Sequence, residues 1–227
     1  MAAARSSLAK RARKPRAAPS GGGSSPSFVI IDRFSRQHSG VHLNVVQAVI
    51  STLHYRELRE RSIDLLLGRI PANFAEHDLE ADVLFNDQVV VVAGKRSRWA
   101  RALRLKLADL TDAPWILPPA DTLPGSLAVD LFRAAGLEMP AAPITTLSIH
   151  LCCQLTASGR FVTTLPTSIL RFNGNNLTLK VLPIRLPIQL RPVGVVTLKN
   201  RTPNPVARLF IECVRGIVKP IAQGKLS

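Results

Sequence analysis

An arginine that directly follows a run of core-type residues is the first position in this sequence where chemistry is expected. Arg69 closes the stretch IDLLLGR, with Gly68 just before it. A strand that crosses the interior thus delivers a guanidinium at its end, where two parallel hydrogen bonds can hold a carboxylate. The plainer reading is a solvated strand-end residue. Three hydroxyl side chains share a second device: Thr52, Thr122 and Ser148 each stand where a strand or loop feeds into a helix. A helix start offers free N–H groups and a partial positive charge, which suit a carboxylate or a phosphate. Capping the helix is the plainer role for each of them.

Other chemistry is scarce. The sequence has no Gly-x-Ser-x-Gly elbow, no phosphate-binding glycine loop and no His-Glu-x-x-His. Ser7 and Lys10 match a Ser-x-x-Lys pattern by coincidence, inside a low-complexity stretch. His38, His42, His54, His77 and His150 form no cluster with an acid and a nucleophile. Cys152 and Cys153 are adjacent in the apolar stretch IHLCCQL, which reads as core packing rather than a redox pair. With Cys213 they give neither a disulfide framework nor zinc-ligand spacing. The expectation is no enzyme, no metal and no cofactor, with reduced thiols in a cytoplasm.

The elements that must position Arg69 and the hydroxyls follow from periodicity. Hydrophobic residues make up 46% of the chain but aromatics only 5%, so Val, Leu, Ile and Ala must build the core. No apolar run approaches the roughly 18 residues needed to span a bilayer. Residues 1–26 carry six Lys/Arg and no acid, end in Gly, Ser and Pro, and read as a basic disordered tail. From residue 27 helix and strand patterns alternate. A helix is expected over 28–38, a strand over 41–48, and a helix capped by Ser51 or Thr52 running to Arg61, with an Arg56/Glu60 pair. Strands follow over 63–68, 83–85 and 89–93, nearly continuous in apolar residues, as in a sheet covered on both faces.

A second set begins with a partly helical connection over 99–110 and a strand over 115–117. Asp121 or Thr122 caps a helix with Pro124 in its first turn and Gly136 past its end; Ser148 caps another that stops before Gly159. Strands over 161–165, 177–182 and 193–199 lead to a last helix with Asn204 at its cap and Pro205 at its first position. Strand–helix alternation in two blocks predicts an α/β protein of two lobes.

The net charge of +15 is uneven. Residues 27–94 hold six basic and nine acidic side chains, whereas 95–187 and 188–227 are each net +6. A polyanion partner and a merely solubilising role both fit such a balance.

Taken in order, several segments resemble the LysR-type transcriptional regulators. They are Arg36-Gln37-His38-Ser39-Gly40, Asp64-Leu65-Leu66-Leu67-Gly68, the paired strands LFNDQVVVVAG, Pro114-Trp115-Ile116-Leu117-Pro118, and Ala157-Ser158-Gly159-Arg160-Phe161 ahead of Leu165-Pro166. The resemblance covers roughly 27–220 and is to the effector-binding part of the family, without its winged helix-turn-helix. It implies two Rossmann-like lobes of the periplasmic-binding-protein kind, joined by two crossovers, with a small effector held between them. Lobe I would comprise 27–94 plus 188–222, and lobe II 95–187. Effector contacts carried over from the family fall on Ser51, Thr52, Gly68, Arg69, Ser148 and Ile149; the capping argument adds Thr122.

Further expectations follow. The effector is small and anionic. The chain pairs into a homodimer or tetramer through its first helix and second strand, as the resemblance implies. DNA binding by this chain is weak and indifferent to sequence, and no membrane is involved. Residues 1–26 are too short for a winged helix-turn-helix, so a truncated or shifted start, or a diverged variant, is expected. The cluster Lys95, Arg96, Arg98, Arg101, Arg104 and Lys106 reads as a solvated face at a lobe crossover. The competing readings are a transport-type solute-binding protein of the same fold, which would need an export signal, and a non-functional gene remnant.

Overall fold

A computed structural model of the chain describes residues 2–8, 26–47, 55–173, 178–186 and 190–222. They fall into two compact units, Met1–Asp87 with Arg191–Ser227, and Gln88–Leu190.

Unit 1 is built on a five-stranded sheet. Its strands are β1 (Ala2–Leu8), β2 (Val41–Gln47), β3 (Leu65–Arg69), β4 (Leu79–Asp87) and β10 (Arg191–Leu198), in the order β2-β1-β3-β10-β4. Both β1 and β10 run antiparallel to their neighbours, so β2, β3 and β4 share one direction. The helices of this unit are α1 (Pro26–Gln37), the single turn α2 (Arg56–Arg59) and α6 (Pro205–Ala222). Leu65, Leu66 and Leu67 are all buried, although alternate residues point to opposite faces, so the sheet is covered on both sides. Leu66 packs with Tyr55, Leu58, Ile63, Leu79 and Val196. Phe34 of α1 meets Phe210 of α6 edge-on at 5.2 Å. Asn204 caps α6 through a 2.7 Å bond from the Ala207 N–H, and its amide also donates to Asp64.

Unit 2 holds the sheet β7-β6-β8-β5-β9, from β5 (Val89–Gly94), β6 (Trp115–Leu117), β7 (Ile144–Thr145), β8 (Val162–Pro166) and β9 (Leu179–Val181). Its helices are α3 (Leu123–Ala134), α4 (Ile149–Ala157) and α5 (Thr167–Asn173). Strand alternation sorts its core into two layers. Val91, Ala93, Trp115 and Leu117 pack on one face with Leu131 and Phe132 of α3. Val92, Ile116 and Leu165 pack on the other with Cys152 and Cys153 of α4. Trp115 has its indole N–H satisfied by the Leu110 carbonyl at 2.7 Å.

Three sequence expectations need correction. Residues 1–26 do not all form a tail, because Ala2–Leu8 are β1, paired from Ala2 with Gln47 to Leu8 with Val41. Hydropathy misses such a strand: main-chain groups of β2 and β3 require partners whatever side chains the inserted strand carries. The expected division at 94/95 and 187/188 lies instead at 87/88 and 190/191, since β5 pairs with β8 and β9 rather than with unit 1. The helix expected to reach Arg61 is described only as α2, preceded by Tyr55 at φ 61°. Its Arg56/Glu60 pair is present at 2.6 Å.

Glycine is required at Gly194, where the register of β10 against β4 shifts. A Cβ there would collide with the Asp82 carbonyl and the Ile70 side chain.

Candidate functional site

Arg69 ends β3, Asp87 ends β4, and Arg191 begins β10, the strand between them. The register sets Arg191 opposite Asp87 and Val193 opposite Arg69, so the three charges share one end of the sheet. That is the carboxyl end of β3 and β4, where open α/β sheets bind ligands. Beside it Gly68 faces Gly194, a register position with no side chain on either strand.

Burial gives these charges their importance. The Arg69 side chain is 13% exposed and that of Asp87 3%, with 3.5 Å between the Arg69 Nη2 and an Asp87 oxygen. Burial pushes the Arg69 guanidinium below the ordinary arginine range; Asp87 raises it again and Arg191 lowers it further. Arg69 Nη1 and Arg191 Nε are both buried without a hydrogen-bond partner among the described residues. Two cations and one anion thus share this end of the sheet, a net positive charge, and each arginine has one buried nitrogen without a partner among the described residues. Leaving such donors unpaired is costly, and an anionic oxygen supplies both the charge and the acceptor they lack.

The hydroxyl candidates separate on the same criterion. Thr122 caps α3: its Oγ1 accepts from the Gly125 N–H at 3.2 Å and donates to the Pro119 carbonyl at 2.6 Å. The side chain is buried and its hydrogen-bonding capacity largely engaged, so its helix uses it. Ser148 caps α4 through the Leu151 N–H at 3.2 Å, but it is exposed and its hydroxyl proton is uncommitted among the described residues. Ile149 beside it is partly exposed at the same helix start. Ser51 and Thr52 lie outside the described residues.

Arg191 and Asp87 were not singled out by sequence reasoning. Each is an ordinary charged residue at a strand end, and only the pairing register brings them to Arg69. Cys152, Cys153 and His38 behave as packing residues. Cys152 Sγ lies 3.0 Å from Thr163 Oγ1, and burial pushes both thiols of the pair up, that of Cys153 to about 11. His38 stacks on Phe34 with centroids 4.6 Å apart. Among the described residues no group of His, Cys, Asp and Glu has the arrangement of a metal site. No described helix is long and apolar enough to cross a membrane.

The LysR substrate binding domain model matches residues 17–218. The transcriptional dual regulator GltC of Bacillus subtilis is 28% identical over 186 residues, which is 82% of this chain and 60% of that protein. The HTH-type transcriptional regulator GalR of Pseudomonas putida is 25% identical over 186 residues, 82% of this chain and 46% of that one. The chain therefore spans about half the length of the curated relatives it matches. Among solved structures, the regulatory domain of Synechocystis CcmR in complex with 2-PG has a TM-score of 0.67 at 17% identity, covering 84% of this chain and 90% of that one. The effector-binding domain of QuiR with shikimate gives 0.64 at 18% identity, covering 88% and 91%. That of BenM with benzoate gives 0.63 at 20% identity, covering 88% and 87%. At these identities the structures establish the fold alone, an α/β fold of the periplasmic-binding-protein kind.

Proposed function

Since this chain belongs to the family of LysR substrate-binding domains, we propose that it binds a small anionic effector and transmits that binding to a transcriptional response. The observation that carries the anionic part is the pair of buried donors without a partner among the described residues, Arg69 Nη1 and Arg191 Nε, at the strand end that also holds Asp87. An effector carboxylate accepts from Arg69 Nη1 and Arg191 Nε, relieving the burial of excess positive charge. Support comes from the neighbours QuiR and BenM, whose bound effectors, shikimate and benzoate, are both carboxylates. Gly68, the residue before Arg69, is proposed as a further effector contact through its backbone. In unit 2, Ser148 and Ile149 at the start of α4 are proposed as effector contacts in their own right. Thr122 is left out of the ligand set because its hydroxyl serves α3.

Calorimetric titration with benzoate, shikimate and inorganic phosphate tests this reading. Arg69→Ala is expected to cost about 1.5–3 kcal/mol of binding, a loss of roughly 10- to 150-fold in affinity. Unchanged affinity for every anion that the parent protein binds would remove Arg69 from the site.

Assembly is part of the same proposal: the chain forms a homodimer or tetramer through α1 and β2. Phe28 on α1 is 60% exposed, and Val45 and Val46 on β2 are each 42% exposed. Exposed apolar side chains on a helix and a strand favour burial against a second copy. Sedimentation at tens of micromolar, roughly the range for interfaces of standard size, is expected to show a dimer or larger species; monomer alone at that concentration counts against the assembly.

A further inference from the structure

Residues 95–106, KRSRWARALRLK, carry six cations and no acid. Unit 2 as a whole, Gln88–Leu190, holds eleven Lys/Arg and five Asp/Glu, so its entire positive excess resides in these twelve residues. Lys95, Arg96, Arg98, Arg101, Arg104 and Lys106 are all exposed. None forms an ion pair with a described carboxylate. Two further exposed cations adjoin them. The Lys180 ammonium donates to the Ala100 carbonyl at 2.6 Å, and Arg160 follows Gly159, whose Cα side abuts the backbone of Arg96 and Ser97.

The segment is not a free loop. Trp99 and Ala100 are buried, and so is Ser97, whose Oγ accepts from the Ala100 N–H at 3.2 Å. Successive bonds, Ser97 N–H to Gly94 O, Ala100 N–H to Ser97 O and Ala102 N–H to Trp99 O, fix a tight turn. The Lys95 N–H is held by the Thr178 carbonyl at 2.8 Å. A fixed backbone displays the cations, so a partner need not order the segment itself. Arg98 lies over the Trp99 ring at 4.7 Å and Arg160 over Phe161 at 5.1 Å, leaving their N–H edges free for hydrogen bonds.

We propose that this basic segment, with Arg160 and Lys180, is a phosphate-binding surface for duplex nucleic acid, read without regard to base sequence. Interfaces for proteins carry an apolar, aromatic centre. Here the aromatic residue is buried, and Leu103, 91% exposed, is the one strongly exposed apolar side chain of the segment. Nucleic-acid interfaces are instead polar and strongly positive, and the arginine fork fits phosphate oxygens. No element of the segment is a regular helix or strand pair suited to a groove, so the contacts position a duplex and carry no base information.

The test is fluorescence anisotropy of a labelled duplex of arbitrary sequence, titrated with the full chain at several salt concentrations. Three proteins are compared: the parent, the triple variant Arg98→Gln, Arg101→Gln, Arg104→Gln, and a control with the same charge loss on unit 1, Lys199→Gln, Arg201→Gln, Arg208→Gln. The first variant is expected to bind more weakly, with a log-affinity against log-salt slope shallower by roughly three, while the control keeps the parent slope. A thermal melt unchanged by the substitutions establishes that the fold is intact. Equal losses in both triple variants overturn the proposal in favour of diffuse charge. Absence of saturable binding by the parent overturns it outright. Poly-glutamate competing as well as unlabelled duplex at equal charge overturns the nucleic-acid assignment in favour of an acidic protein.

Discussion

The two units carry positive charge in opposite ways. Unit 1 buries the Arg69–Asp87 pair at the end of its sheet, with one further buried donor from Arg191, whereas unit 2 displays six cations on one exposed segment. By composition the second feature dominates. Burial reverses the order, because an exposed ion pair is worth about 0–1 kcal/mol, whereas an uncompensated buried charge costs several. The buried cluster therefore governs stability and the choice of a small ligand. The exposed segment acts at longer range, through attraction that salt screens.

The largest expected effect tests that contrast. Asp87→Ala leaves the buried Arg69 without its carboxylate, and should destabilise the protein by about 3–5 kcal/mol, the range for breaking a buried ion pair. The three Gln substitutions in 95–106 should leave unfolding free energy within about 0.5 kcal/mol. Urea denaturation of both variants measures the difference. An Asp87→Ala protein as stable as the surface variant would mean that the cluster is solvated and the contrast false.

What was legible in the sequence tracks the same divide between local and non-local physics. Trp115–Leu117, the Thr122 and Ser148 caps, the stop at Gly136 and the Asn204 cap are written within a few residues, and the structure has them there. Gly136 and Gly159, at φ 70° and 86°, end their helices because few other residues adopt that conformation. Ala2–Leu8 was unreadable because a strand rich in small residues has no apolar periodicity, and its place depends on partners between 33 and 65 residues away, from Leu8 with Val41 to Ala2 with Leu67. α5 was missed as a seven-residue helix too short to show a repeat. Arg69 was singled out from its own strand, and that strand is present. Asp87 and Arg191 were not, since nothing within 69–191 states that the last strand returns between β3 and β4.

Two caps of like chemistry and unlike burial sharpen the comparison at smaller energies. Thr122 makes two hydrogen bonds in a buried setting, and Thr122→Ala should cost about 1–2 kcal/mol. Ser148 makes one from an exposed position, and Ser148→Ala should cost about 0.5–1 kcal/mol. Melting of the two variants side by side gives the ranking. Equal losses would show that burial adds nothing to a cap in this fold, and would weaken the same reasoning at Arg69.

The smallest effect concerns a charge network that stands between the two extremes. Arg59 donates to Asp78 through Nε at 2.7 Å and Nη2 at 2.8 Å, and to Glu76 at 2.6 Å, with all three side chains about a third exposed. The hydrogen bonds from Arg59 hold the Asp78 carboxyl down at about 2, below the unfolded value of about 3.9. A carboxyl depressed in the folded state adds stability that is fully present above the unfolded pKa. That stability is lost as pH falls from about 4 towards 2, because the unfolded chain takes up the proton first. Asp78→Asn should therefore flatten the stability profile in that window and run parallel to the parent above it. Urea titrations across the window, taken as the difference between the two proteins, cancel the carboxylates they share. Partial exposure also requires the difference to shrink at about 1 M salt, where the screening length falls to about 3 Å. Curves that stay parallel down to pH 2 would mean that Arg59 gives Asp78 nothing in solution, and would set this partly exposed network with the surface pairs rather than with the buried pair at Arg69.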